Sequence, residues 1–451
     1  VEKGKLESMT KEEQLKKEIL DKTKEYYELV HKPKQEQEFI AGKSRVNYAG
    51  RVFDETEMQY LVDSSLDFWL TYGDYSKKFE KQLSNFLNVR WSFLVNSGSS
   101  ANLLAFYALT SPLLKERQVK RGDEVITVAA GFPTTITPIV QYGAIPVFVD
   151  MELTYFNIDV TQLEAALSNK TKAIMIAHTL GNPFNIQAVK EFCDKHNLWL
   201  IEDNCDALGS TYEGRPTGTW GDIGTSSFYP PHHMTMGEGG ATYTDNPLLQ
   251  KIMLSMRDWG RDCWCESGVD NTCGKRFSMS HGNLPKGYDH KYVYSHFGFN
   301  LKVSDMQAAV GVAQLEKFPS FVVKRKENFK KLYDSLKDLR ELTLVQTQPN
   351  SDPSWFGFLM TLNEGTTFTR NDMAEYLESK NIQTRNLFAG NILRHPLFDD
   401  MQENVDYRVV GTLKNTDKIM NDSFWIGLYP GMGDEAIDYM IVNIREFIEN
   451  N

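Results

Sequence analysis

With 451 residues and a net charge of −11, the chain has room for a large core and for two domains with appendages. The acidic balance speaks against nucleic acid and anionic membrane surfaces as partners, because either asks for a basic face; a local basic pocket for a phosphorylated ligand remains open. No apolar run is long enough to cross a bilayer. Five cysteines without an apolar leader suggest free thiols or a metal site in a cytoplasmic protein, not a disulfide scaffold.

Val1–Ser8, polar and placed ahead of Met9, reads as an appended remnant outside the fold. From Thr10 to about Val30, Leu15, Ile19, Leu20, Tyr26, Tyr27 and Val30 recur at helical spacing among Lys and Glu. This predicts an amphipathic helix in an N-terminal extension, residues 9–54. A polar connector with Gly42 and Gly50 follows, then a helix from Glu55 to Trp69. Strands are expected at Trp91–Val95, Glu124–Val128, Ile145–Val149, Ala173–Ala177 and Leu198–Glu202, separated mostly by helical patterns. That alternation predicts an α/β domain, residues 55–318, whose mostly parallel sheet is flanked by helices. A helix is expected over Gly298–Phe318 and another over Val322–Leu339. Strand-like Leu344–Leu362 and helices at Thr369–Ser379 and Asp434–Glu449 complete a smaller C-terminal α+β domain, residues 319–451.

Three motifs in the large domain point to one site. Asn96-Ser97-Gly98-Ser99-Ser100-Ala101 follows a strand and opens the helix Asn102–Leu109, so the backbone N–H groups of small residues such as Gly98 and Ser99 can approach a phosphate. A plain N-cap is the alternative reading. Ile201-Glu202-Asp203-Asn204 ends a strand, where Asp203 can pair with a protonated pyridine nitrogen and keep the ring an electron sink. Taken alone, such a carboxylate also suits a cap or a metal. The third motif runs Ser226-Ser227-Phe228-Tyr229-Pro230-Pro231-His232-His233 and continues through Met236-Gly237-Glu238-Gly239-Gly240, a tight turn before a strand at Ala241–Thr244.

In this order and spacing the motifs resemble the fold-type-I pyridoxal phosphate enzymes that act on nucleotide-linked keto sugars, over nearly the whole chain. Gly298-Phe299-Asn300-Leu301-Lys302 with Asp305-Met306-Gln307-Ala308-Ala309 is similar to a segment of that family which reaches the neighbouring subunit's cofactor; the resemblance thus implies a homodimer and a cofactor contact by Asn300. In the family a catalytic lysine stands five residues after a phosphate-binding serine. Counting from Ser227 leads to His232, and no lysine occurs between Lys195 and Lys251. An imidazole cannot form the internal Schiff base of a lysine amine. Either the chain is an inactive relative, or it holds pyridoxamine phosphate non-covalently and uses His232 as the base at the cofactor's C4′. The second reading makes it a dehydratase, with His233 the weaker candidate by register.

Cys205, Cys263, Cys265 and Cys273 give the spacing Cys-X57-Cys-X-Cys-X7-Cys, while Cys193 fits a buried thiol in an amphipathic helix. On ligand type alone, zinc and an iron–sulfur cluster both fit. Joined to the missing lysine, the spacing resembles the CDP-4-keto-6-deoxyglucose 3-dehydrases of 3,6-dideoxyhexose biosynthesis. That resemblance implies a [2Fe–2S] cluster on these four cysteines, a CDP-4-keto-6-deoxyhexose substrate, and electrons from a separate flavin and iron–sulfur NAD(P)H reductase.

Phe132 is expected near the cofactor ring or in the core, and Asp206 and Tyr229 beside matched cofactor positions. Arg385 and His395 suit a nucleotide diphosphate or are plain surface charges. Three alternatives stand beside the leading reading. They are a lysine-less dehydratase without a redox cluster, a nucleotide-sugar aminotransferase, and a non-catalytic B6-binding module.

Overall fold

The computed structural model describes residues 9–265 and 268–451. Its main element is an eight-stranded sheet in the order 91–95, 240–244, 223–227, 199–203, 171–177, 124–128, 145–149, 408–409. Trp91–Val95, Glu124–Val128 and Ile145–Val149 form at the expected bounds, and Thr171–Ala177 and Trp199–Asp203 within two residues of them. These strands are apolar runs because helices cover both faces of the sheet. Gly240–Thr244 alone runs against its neighbours, pairing antiparallel with the strands on either side. The eighth strand, Arg408–Val409, arrives from the C-terminal part and pairs parallel with Ile145–Val149. Two residues leave no periodicity to read; the Arg408 guanidinium on Glu124 at 2.8 Å fixes it there.

A second, antiparallel sheet holds Leu342–Leu344, Gly357–Leu362, Ser423–Gly427 and Thr384–Arg385 in that order. The stretch read as one strand-like run, 344–362, is therefore interrupted: it contains the two-residue strand Ser351–Asp352, and residues 353–356 are irregular before Gly357–Leu362 begins. Among the described residues no helix is long and apolar enough to cross a membrane.

The largest departure from expectation is the helix Asp305–Leu336, 32 residues long. Residues 298–304 precede it without helical structure, and it runs unbroken through Pro319, where two helices were expected. Proline removes one backbone donor, but a face of Gly311, Gln314, Phe318, Phe321, Arg325 and Asn328, spaced three and four apart, is buried along its length. Tertiary packing outweighs the local penalty. At its start Asp305 accepts the backbone N–H groups of Gly73, Tyr75 and Ser76 at 2.8–3.1 Å. Its carboxylate so caps the helix Asp74–Leu87, whose own N-cap, Gly73, has no side chain to do so.

Candidate active site

Asp203, Ala177 and Ser227 are the last residues of their strands, and Gly98 opens the helix Gly98–Ala108 just beyond Trp91–Val95. All four line one cavity of about 610 Å³ at the carboxyl ends of the sheet, where open α/β sheets bind ligands. Its other wall comes from the second sheet and the N-terminal connector, through Phe356, Arg385, Trp425 and Tyr48.

The helix starts at Gly98, four residues earlier than expected, because Ser97 caps it: its Oγ accepts the Ser100 N–H at 3.0 Å. Ser97 is thus taken up by capping, and Gly98 and Ser99 stand on the cavity wall. A Cβ on Gly98 would stand 2.4 Å from the Ser227 Cβ, so only glycine lets the turn and the serine meet. Ser227 and the helix N-terminus thus meet on one stretch of the cavity wall.

Asp203 is 4% exposed, and its Oδ2 accepts Asn102 Nδ2 at 2.7 Å and Thr135 Oγ1 at 2.6 Å. Thr225 Oγ1 donates to Asn102 Oδ1 at 2.7 Å and fixes which way that amide points. Asn102 and Thr135 were not singled out in the sequence. Polar residues in helices carry no local signal, although Thr135 belongs to the Phe132 segment. The neighbouring Glu202 turns to the opposite face, against His178 at 3.0 Å, away from the cavity.

His232 lines the cavity, and among the described residues no lysine does. Its ring packs against Phe356 at 5.3 Å, and its Nδ1 stands 3.4 Å from Asp206 Oδ1. That contact is an ion-pair distance without the alignment of a good hydrogen bond, and Nδ1 has no other partner. Burial pushes the Asp206 carboxyl up, with His232 opposing. His233 points elsewhere: it is buried, its Nε2 bonds the Ser354 carbonyl at 2.7 Å, and burial holds it well below the usual histidine range. Of the two neighbouring histidines, His232 is the one in the cavity lining.

Phe132 and Tyr229 are half exposed on the cavity rim, Phe132 edge-on to Phe388 at 6.0 Å. Arg385 reaches the cavity with its guanidinium 4.0 Å over the Tyr48 ring. His395 is not brought in; its Nε2 bonds the Ala389 carbonyl at 2.7 Å. Asn300 is exposed and outside the cavity lining, with Lys302 Nζ on its Oδ1 at 2.7 Å.

Cys205 lines the cavity two residues past Asp203, and burial, then Asp203, raises its thiol well above the usual range. Cys263, Cys265 and Cys273 share one loop, each sulfur accepting a backbone N–H at 3.3–3.4 Å from Cys265, Thr272 and Lys275 respectively. A tetrahedral zinc with Zn–S of about 2.3 Å holds its sulfurs about 3.8 Å apart. Among the described residues no three cysteine sulfurs lie within 4.8 Å of one another. Asp262, His281 and His290 do bring ligand atoms within 4.8 Å. The two rings, however, stack at 4.9 Å and 9°. Lone pairs in two stacked parallel planes do not converge on one ion, and His290 instead bridges Asp262 at 2.8 Å and Cys273 at 3.8 Å.

Comparison with known proteins supports the arrangement. The chain is 56% identical over 414 residues to the lipopolysaccharide biosynthesis protein RfbH of Salmonella typhimurium, covering 92% of this chain and 94% of that one. It is 50% identical over 418 residues to the dTDP-4-dehydro-2,6-dideoxy-D-glucose 3-dehydratase of Saccharopolyspora spinosa, covering 93% and 90%. Among solved structures, the E. coli GDP-4-keto-6-deoxy-D-mannose-3-dehydratase with bound hydrated PLP superposes with a TM-score of 0.79 at 28% identity, over 89% of this chain and all of that one. Residues 52–445 match a single family description, and the chain belongs to the DegT/DnrJ/EryC1/StrS aminotransferase family.

Proposed function

We propose that the chain removes the C-3 hydroxyl of a CDP-linked 4-keto-6-deoxyhexose, as a step toward a 3,6-dideoxyhexose of lipopolysaccharide. The observation that carries this is His232: a base without an amine nucleophile lines the cavity of an aminotransferase-family fold, beside a buried carboxylate. Pyridoxamine phosphate, when bound, supplies the amine that condenses with the sugar ketone and a ring that accepts electrons. Gly98, Ser99 and Ser227 would hold its phosphate, Asp203 its ring nitrogen, and Phe132 and Tyr229 its flanks. The cradle that a Cβ would fill and the oriented Asp203 fit that group. Asp206 orients the His232 ring through Nδ1, leaving Nε2 to take the C4′ proton and to pass it toward the departing hydroxyl. With no lysine to recapture the cofactor, the amino-transfer outcome is disfavoured.

Cys205, Cys263, Cys265 and Cys273 would ligate a [2Fe–2S] cluster, which spreads four thiolates over two irons and supplies one-electron reduction. Three backbone N–H donors on the loop sulfurs suit such ligands. A flavin and iron–sulfur NAD(P)H reductase is the electron source of this scheme. Asn300, exposed and outside this chain's own cavity lining, is the residue a homodimer would carry to the second cavity. Arg385 faces the substrate diphosphate; His395 is dropped from that role by its place outside the lining. The 3-dehydratase activity in the name of a 50%-identical relative supports the position of attack.

The test is product analysis under anaerobic reduction with CDP-, dTDP- and GDP-linked 4-keto-6-deoxy sugars. A 3-deoxy sugar from the CDP substrate is expected. A 4-amino sugar, or retention of the C-3 oxygen with all three, refutes the reading.

A further inference from the structure

The buried face of the helix Asp305–Leu336 runs alongside the segment that carries His232. Gln314 takes the Thr235 N–H on its Oε1 at 3.2 Å, and Asn328 donates to the carbonyls of Leu428 and Tyr429 at 3.3 Å. Between them stands Arg325, 1% exposed, the largest fully buried side chain described. Taking a guanidinium out of water costs several kcal/mol unless its donors are matched. Here three of its five donors are met by backbone oxygens. Nη1 donates to Trp355 O at 3.0 Å and Phe356 O at 3.3 Å, and Nη2 to His232 O at 3.4 Å. Its Nε is buried and unpartnered. Asp206, the carboxylate beside the His232 ring, is the charge that acts on it.

The three carbonyls belong to segments more than a hundred residues apart in sequence, and both segments line the cavity. One carries the imidazole; the other carries Phe356, whose ring bears on that imidazole at 5.3 Å. A planar fork with five N–H donors can hold both at once, whereas an ammonium is a single point of attachment. A neutral side chain would fill the space without the desolvation cost, so packing alone gives no reason for a cation here.

We infer that Arg325 is a positioning residue for the reaction: by clamping the His232 and Phe356 backbones to one helix, it sets where the imidazole stands in the cavity. This rests on the role of His232 proposed above. Arg325 does not line the cavity itself, so its loss acts through the His232 and Phe356 segments and leaves the proposed contacts of Gly98, Ser227 and Asp203 to the cofactor in place.

The experiment compares R325M and R325K with the unmodified chain, each reconstituted with pyridoxamine phosphate. Cofactor affinity, KM, kcat, thermal midpoint and the ¹H–¹⁵N signals of the His232 imidazole are measured. A displacement of about 1 Å at a reacting group costs about 10²-fold in rate, so R325M is expected to lose that much kcat with KM and cofactor affinity within about twofold. R325K keeps part of the clamp and is expected to recover about tenfold over R325M, a change of about 1.4 kcal/mol in the barrier. Shifted or broadened His232 signals accompany the loss. Unchanged kcat in R325M overturns the inference. So does a parallel fall of kcat, cofactor affinity and thermal midpoint with R325K no better than R325M, which marks a purely structural arginine. If R325M does not fold, R325K against the parent carries the same readouts. Should the unmodified chain turn over no nucleotide sugar, the functional reading fails on its own. The His232 signals then still decide the positioning role.

Discussion

Replacing Gly98 by alanine puts a methyl carbon 2.4 Å from the Ser227 Cβ and 2.7 Å from its Oγ. Carbon atoms rest about 3.5–4.0 Å apart, so something must move by about 1.1–1.6 Å. There is no slack on either side. Ser227 pairs with Gly240 across the sheet, and a Cβ on Gly240 would itself stand 2.3 Å from the Ser97 carbonyl oxygen. The turn 96–98 and two strands are therefore jammed together at backbone level, and overpacking of this kind costs about 1–3 kcal/mol. The displacement falls on the proposed phosphate cradle. Losing one hydrogen bond to a charged group costs about 1.5–3 kcal/mol, which at 1.4 kcal/mol per tenfold weakens pyridoxamine phosphate by about ten- to a hundredfold. Titrating the cofactor into G98A by fluorescence, with circular dichroism to verify folding, measures this. Parental affinity in a folded G98A would show that the phosphate does not sit between the helix N-terminus and Ser227.

Asp203→Asn keeps the size of the side chain but removes the charge that Asn102 and Thr135 hold in place. C4′ proton exchange should slow by about 10²-fold or more, as for other lost electrostatic partners of a reacting group; an exchange rate within threefold of the parent contradicts the pyridine-nitrogen role. His233 is neutral in the folded chain because burial lowers its pKa well below the usual value, while in the unfolded chain it takes a proton near pH 6.5. Its contribution to stability is thus complete above that pH and declines as pH falls below it, by up to about 1.4 kcal/mol per unit. Urea melts at pH 7.5 and 5.5 should show a shallower pH dependence in H233N than in the parent; equal slopes refute the buried neutral state. C263S and C273S should each lose iron and acid-labile sulfide in anaerobic preparations while still binding pyridoxamine phosphate, and zinc without sulfide in the parent excludes the cluster.

The central strands were legible because a parallel sheet covered on both faces needs continuous apolar runs, and the glycine- and serine-rich turns mark their ends. That Asp203, Ser227 and His232 share one cavity was legible because each sits at or just after such a strand end, with the family resemblance supplying the count from Ser227 to His232. What stayed hidden has tertiary causes. Tyr48, Phe356 and Trp425 converge on the cavity from three distant stretches with no shared pattern. Pro319 signals a break that packing overrides. Arg325 sits in Lys324-Arg325-Lys326-Glu327, which reads as a solvated charged face; only the fold shows that one of the four turns inward.

His232, at the position where the resemblance expects a lysine, is the point on which the whole account turns. Its most direct measurement is the exchange of the C4′ proton of bound pyridoxamine phosphate with solvent in the presence of the keto sugar, followed by NMR in the parent and in His232→Ala. Exchange that collapses in the variant while the cofactor stays bound is the predicted result. Exchange at the parental rate would remove His232 as the base and leave the missing lysine unexplained.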